Sequence, residues 1–468
     1  MKYRLIVAVL SFSLLAGCTS LAPEYSRPAL TVDAKLPQYA DQQVSTPLAT
    51  ELSWREFILH PQLREIIELA LENNRDMRVA VLNLQRARAL YRVEGSARLP
   101  DVDITASGSH TGLSASQSGT GKETTTHDYS VSLGTVGYEL DLFGRVRNLE
   151  QSALESYFAT EQARRAMELT LIADVANAYL AYSADTQRLD IAENTLDNQL
   201  EAYKIQKTRF DRGALSELEL IQVQTQVETA RVEVARLKSL VVRDTHILRL
   251  LAGTNIPRES LLPERKPTTH WFQSISAGIS SDILLQRPDV MQAEHQLRAA
   301  NADIGVARAA FFPRISLTAG LGSASSELSD LFGGGSSTWQ FMPSLSLPIF
   351  NAGRNQANLE IAETDQQIAK ATYEQSIQRA FREVADSLAE DSFSADQLNA
   401  QRSLTAATAQ AYKLAKLRYE QGIDGYLQVL DAQRSDYEAQ QNLVRIKQEK
   451  MSAELSVYKA LGGQSISS

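Results

Sequence analysis

The sequence predicts an α+β chain built from one helix–strand–strand–long helix–helix unit written twice. Three observations carry that expectation. Motifs recur at a fixed distance, the hydrophobic period drops from about 3.6 to 2 behind two prolines, and two long stretches lack both proline and glycine. Arg209-Phe210-Asp211-Arg212-Gly213 returns as Arg418-Tyr419-Glu420-Gln421-Gly422, an offset of 209 positions, and Arg145 and Arg354 are separated by the same interval. Leu99-Pro100 is echoed by Phe312-Pro313, and Leu251-Ala252-Gly253 by Leu461-Gly462-Gly463.

Taken in order, residues 1–17 read as a secretory signal. Lys2 and Arg4 precede an apolar run, Leu5 to Leu15, that is too short to span a bilayer as a helix. The run ends in Leu15-Ala16-Gly17-Cys18, which resembles the lipobox of bacterial lipoproteins. That likeness implies cleavage before Cys18 and acylation there, palmitate included. By resemblance to lipoprotein sorting, Thr19 after the lipid site favours the outer over the inner membrane. Cys18 is the chain's one cysteine, so no internal disulfide forms.

An N-terminal segment, 18–60, leads into the first repeat, 61–254. A helix is expected over about 61–97, ended by Pro100, which cannot continue the hydrogen-bond ladder. Strands follow over about 101–142. Val102, Ile104 and Ala106 alternate with polar residues, a Gly/Ser/Thr-rich loop spans 111–127, and the return strand changes phase near Gly134. Long helices fill about 145–250. Leu169, Ile172, Ala176, Tyr179, Leu189, Leu196, Leu200, Tyr203 and Phe210 keep a 3–4 spacing that holds one seam. Over about 65 residues this makes a rod of roughly 95–100 Å. Gly213 sits where the chain must reverse, a position suited to left-handed geometry.

A linker, 255–281, precedes the second repeat, 282–463, whose first helix covers about 282–310. Its strands are expected over about 314–350, with Ile315, Leu317, Ala319 and Leu321 on one face and Trp339, Phe341, Leu345, Leu347 and Ile349 on the returning face. The loop between them, 323–337, carries Gly333-Gly334-Gly335, read as a flexible tip. Long helices run over about 354–460, reversing at Gly422, and 464–468 is a tail.

No segment has 18 uninterrupted apolar residues, so no ordinary transmembrane helix is expected. A formal net charge of −9 makes nucleic acid a poor partner. The six histidines (His60, His110, His127, His246, His270, His295) form no pair at metal-ligand spacing, and neither HExxH nor CxxC occurs. An enzyme is not expected, nor a cofactor or metal. Strands with one apolar and one polar face suit either a sandwich half or a barrel wall with lipid outside and water inside. The attached rods favour the wall. Four strands cannot close a bilayer-spanning barrel, and open edges in lipid leave backbone groups unpaired, so a membrane role requires an oligomer. The rival from another class is a lipid-anchored coiled-coil scaffold or adhesin without a pore.

At this point the residues resemble the TolC-like outer-membrane factors. The likeness rests on Thr19-Ser20-Leu21-Ala22-Pro23-Glu24-Tyr25, on Tyr138 through Arg145, and on Arg287-Pro288-Asp289-Val290 through Phe311-Phe312-Pro313. Leu345 through Phe350 and Tyr426 through Arg434 complete it. It implies a homotrimer with a twelve-stranded β-barrel in outer-membrane lipid, a periplasmic α-helical barrel, and an equatorial belt near 24–60, 252–281 and the C-terminus. It further implies a channel for drugs or other small toxic compounds, docked to a periplasmic adaptor and an inner-membrane pump of the resistance-nodulation-division type. A metal-efflux or type I secretion system is the alternative setting. The turns with Arg209, Gly213, Arg418 and Gly422 would meet the adaptor. Asp431, with Leu427, Arg434 and Tyr419 nearby, would line the aperture, which is closed at rest. Gln222 stands where the first repeat would match Asp431. The bland reading of Asp431 is a solvated carboxylate pairing with Arg434. Arg209 and Arg418 could equally cap their helices, and Tyr419 could simply pack.

Overall fold

The computed structural model describes residues 20–39, 52–262, 270–276, 278 and 280–463; the signal, Cys18 and the tail 464–468 lie outside them. The element order is α1 Trp54–Phe57, α2 Pro61–Asn73, α3 Arg75–Ser96, β1 Asp103–Leu113, β2 Thr124–Leu140, α4 Arg145–Asp211 and α5 Glu217–Ala252 in the first half. The second half has α6 Pro288–Ala309, β3 Arg314–Ser325, β4 Ser337–Ser346, α7 Arg354–Glu420 and α8 Tyr426–Ala460. The duplicated unit is therefore present, and α4 and α7 are each 67 residues long.

Several boundaries differ from the sequence reading. The helix expected over 61–97 is two helices, because Asn74 takes an extended conformation and its side chain accepts the Met77 amide at 2.9 Å. The helix expected over 282–310 begins as a 3-10 turn, Ser281–Gln286, and becomes α-helical at Pro288 after an extended Arg287. The first loop is shorter than 111–127, since β1 continues to Leu113 and β2 starts at Thr124. The last strand stops at Ser346, ahead of Pro348, so Leu347 and Ile349 lie past it.

The compact units do not follow the repeats; each takes pieces of both. One gathers the residues before Ala29, then Asn83–Glu161 and Gln292–Tyr373. Among its described residues is an antiparallel four-stranded sheet in the order β1-β2-β3-β4, leaving β1 and β4 as edges. The segment from Ser20 to Arg27 is fastened along α6 and to the start of α4. Ser20 Oγ donates to Asn148 (2.7 Å), Asn301 Nδ2 donates to the Pro23 carbonyl (2.8 Å), and Arg27 holds the Glu294 carboxylate at 2.9 Å. Gly305 makes the close approach possible, because a Cβ there would stand 2.8 Å from the Ala22 nitrogen and nearer still to Asn148. Arg298 and Arg27 outweigh the burial of Glu294 and hold its carboxyl below the usual range.

The other unit comprises Leu30–Leu82, Gln162–Met291 and Glu374–Ser468. Phe57 is stacked between Phe272 and Tyr458, with ring centroids 5.1 and 4.2 Å away. Leu63, Ile66, Ile67 and Ala70 of α2 are fully buried beneath it, and each such side chain contributes about 1.5–3 kcal/mol where large. Between α4 and α5, Ala192, Val234 and Leu237 form an apolar core flanked by Leu189 and Leu196 of the expected seam. Buried Arg287 binds Asp289, Glu383 and the Ala460 carbonyl, which fixes the end of α8.

Candidate functional site

In the first unit the sheet sorts its side chains by chemistry. Directly paired residues share a face, so the register defines one row after another. Ile104, Leu133, Leu321 and Trp339 make one row, Ala319 and Phe341 the next toward the helices, and Leu140, Ile315 and Leu345 the last. The large apolar groups in these rows are exposed, Trp339 to 76%, except for half-buried Ile315. The opposite face carries Thr105, Ser132, Gly322 and Thr338 in one row, with Ser107–Ser130 and Ser316–Ser344 hydroxyl pairs at 2.8 and 2.7 Å.

Two local devices keep this sorting intact. The phase change noticed near Gly134 is a bulge: the register shifts between Thr135 and Tyr138, with Gly137 at φ 70°. The one inserted residue returns Tyr138 and Leu140 to the apolar face, where simple alternation would have reversed them. On the polar face, Gly134 stands opposite Gly320, and a Cβ at Gly134 would meet the Ala319 carbonyl oxygen at 2.2 Å. Bare backbone at that seam lets β2 and β3 approach where a side chain would clash.

In the second unit, the two helix reversals have matching backbones. Gly213 donates to the Phe210 carbonyl and Ala214 to that of Arg209; Gly422 donates to Tyr419 and Ile423 to Arg418. Both glycines are left-handed, at φ 73° and 72°. Backbone amides thus close the helix ends, and the guanidinium groups read as caps go elsewhere. Arg418 makes a two-pronged bond to Asp424 (2.5 and 3.1 Å), holding that carboxyl below its ordinary range. Arg209 reaches the Tyr419 hydroxyl and lies over its ring, 5.5 Å from the centroid. Gln206 donates to the same hydroxyl at 2.9 Å, so Tyr419 ties the first repeat to the second as well as packing on Tyr426. Asp431 pairs with Arg434 at 3.2 Å, both more than half exposed, and Leu427 is 53% exposed.

Two other features lie outside those rows and turns. A cavity of about 1020 Å³ opens beside Tyr179, Tyr182 and Trp271, but its Lys450 is already engaged by Asp391 (3.5 Å) and Glu454 (3.0 Å). His110 and His127, 17 positions apart, are brought side by side by the hairpin register. Sequence reasoning missed that pair because it looked for helical and short-loop spacings. The alternation on both strands, extended across the turn, is the signal that would have found it. No helix among the described residues is long and apolar enough to cross a membrane.

The fold and these faces suit a channel-forming membrane protein. The model of the outer membrane efflux protein family matches residues 66–254 and 279–463, and the chain belongs to that family. It is 44% identical over 465 residues to the antibiotic efflux pump outer membrane protein ArpC of Pseudomonas putida and, to the same extent, to the toluene efflux pump outer membrane protein TtgC of the same species, covering 99% of this chain and 96% of each relative. Among solved structures, the open state of the Neisseria gonorrhoeae MtrE outer membrane channel superposes with a TM-score of 0.85 at 35% identity, over 95% of this chain and 98% of that one. The protein is accordingly an outer-membrane efflux channel component.

Proposed function

We propose that three copies of this chain form one conduit, each giving four strands to a twelve-stranded barrel and its long helices to a periplasmic tube. The sheet carries the reading: an exposed apolar face, a hydroxyl-lined opposite face and two open edge strands suit a wall that neighbouring copies complete. The conduit serves a tripartite pump, receiving drugs or other small toxic compounds through a periplasmic adaptor from an inner-membrane pump of the resistance-nodulation-division type. Acylated Cys18 adds a lipid anchor. The turns around Arg209, Gly213, Arg418 and Gly422 are the docking points for the adaptor.

Asp431 lines the periplasmic aperture, with Leu427 one turn away as its apolar plug. Three carboxylates meeting on one axis would attract cations and repel one another. Purified protein in planar bilayers tests this. Asp431→Asn should lower cation preference and weaken block by divalent cations added on the periplasmic side, with oligomer yield unchanged. Leu427→Ala should raise conductance instead. Unchanged block and selectivity in Asp431→Asn would return this residue to a solvated partner of Arg434.

A further inference from the structure

We propose that His110 and His127 form a transition-metal site that takes Zn²⁺, Ni²⁺ or Cu²⁺ between their Nδ1 atoms. The residues are direct partners across the β1–β2 hairpin, close to its last pair, Leu113 with Thr124. Direct partners have Cβ atoms about 4.5–5.5 Å apart, so two imidazoles on one face reach a common point. Here the Nδ1 atoms converge to 2.5 Å, with the rings nearly perpendicular at 77°. Nitrogens that close share either one proton in a hydrogen bond or a metal ion.

Tyr129 suits the metal. Its hydroxyl lies 3.3 Å from His110 Nε2, with the rings edge to face. When Nε2–H donates to that hydroxyl, the lone pair of His110 is left on Nδ1, facing His127. A hydrogen bond from the far nitrogen of a ligating imidazole is the usual way such a ring is oriented and made more basic. Zn–N bonds of about 2.0–2.1 Å at a tetrahedral angle place two ligand nitrogens about 3.3 Å apart. The rings need to part by less than ~1 Å, which two exposed side chains can do by rotation about χ1 and χ2.

The surroundings select the kind of ion. Imidazole nitrogen suits zinc, nickel and copper, whereas magnesium and calcium require oxygen. The pair continues the apolar face beyond Tyr129, past the last large apolar residue that this face carries on β1 and β2, where water is at hand to fill the remaining coordination positions. Among the described residues no third His, Cys, Asp or Glu joins it. The bound ion is therefore exchangeable, and it staples edge strand β1 to β2 at the mouth of the hairpin.

The test uses full-length protein without a polyhistidine tag, stripped with chelator and titrated with ZnCl₂ in detergent. The native chain should bind one ion per protomer at this site. His110→Ala and His127→Ala should each weaken that binding at least tenfold, and the double variant should be no worse than either single one. With Cu²⁺ as probe, electron paramagnetic resonance should show two coupled imidazole nitrogens in the native protein and one in each single variant. Heat-dependent gel migration reports folding, and Asn replaces Ala where it fails. Zinc uptake unaltered in the double variant, single variants that bind like the native protein, or no uptake by the native protein would each overturn the site, the last in favour of a shared proton.

Discussion

The two helix reversals share a backbone and differ in almost everything attached to it. The first enters α5 through a capping box, Ser216 accepting the Glu219 amide while Glu219 bonds back to the Ser216 amide at 3.0 Å. The second enters α8 from Gly425, which has no side chain to cap with, and is braced instead by Arg418 on Asp424. The first sends Arg209 and Gln206 across to the second, whereas Arg418 turns inward to its own loop. Duplication preserved the hydrogen-bond frame, and side chains then made one turn self-sufficient and the other a receiver. The six turns of a trimer would thus fall into two classes of three.

The comparison can be broken first at the glycines. Gly213→Val and Gly422→Val both force a left-handed β-branched residue, at about 1–2 kcal/mol each. Equal drops in thermal stability are expected; a much larger drop at one would mean that the frames are not equivalent. The next contrast lies farther up the rods. Asp244 on α5 corresponds to Ala453 on α8, 209 positions on, and Asp185 on α4 to Ser394 on α7. Burial first, then the Asp185 charge, raise the Asp244 carboxyl to about 6. A raised carboxylate pKa destabilises the fold as pH climbs from about 4 through 6, and the penalty persists above that. Asp244→Asn should therefore add about 1 kcal/mol at pH 7.5, solvent screening of this half-exposed site included, and nothing near pH 4. Denaturation followed at both pH values checks the sign.

Tyr419→Phe probes the receiver. It removes the hydroxyl that Gln206 and Arg209 share, leaving the ring, and should cost about 1 kcal/mol at this half-buried position. Bilayer conductance should rise more in Tyr419→Phe than in Arg418→Gln, which loosens only its own turn. The smallest effects belong to the caps. Ser216→Ala should lose about 1 kcal/mol, while Gly425→Ser should gain only a few tenths.

How much of this was legible beforehand depended on range. The repeat, both rods and the alternating faces are local patterns, and the phase slip near Gly134 showed in the sequence as the bulge that the register requires. Asn74 was legible too: an Asn just ahead of Arg75-Asp76 is an ordinary helix start, passed over because the apolar period runs on through it. The chemistry of the turns was not. That Arg209 would seek Tyr419 rather than its own helix end depends on a contact 210 positions away, and no local propensity encodes it. Asp431 and Leu427 were named by family likeness; the protomer shows a paired, exposed carboxylate and an exposed leucine.

The strap from Ser20 to Arg27 sets an order of events. Its partners on α6 lie 267 to 287 positions later in the chain. The segment just after Cys18 is therefore among the first to be synthesised and among the last able to dock, since Glu294, Asn301 and Arg308 must exist before it can be held. Contacts of such separation form slowly. Through most of its synthesis the chain has a leading end with no seat of its own, and the unit that contains the sheet can close only when the second repeat is well under way.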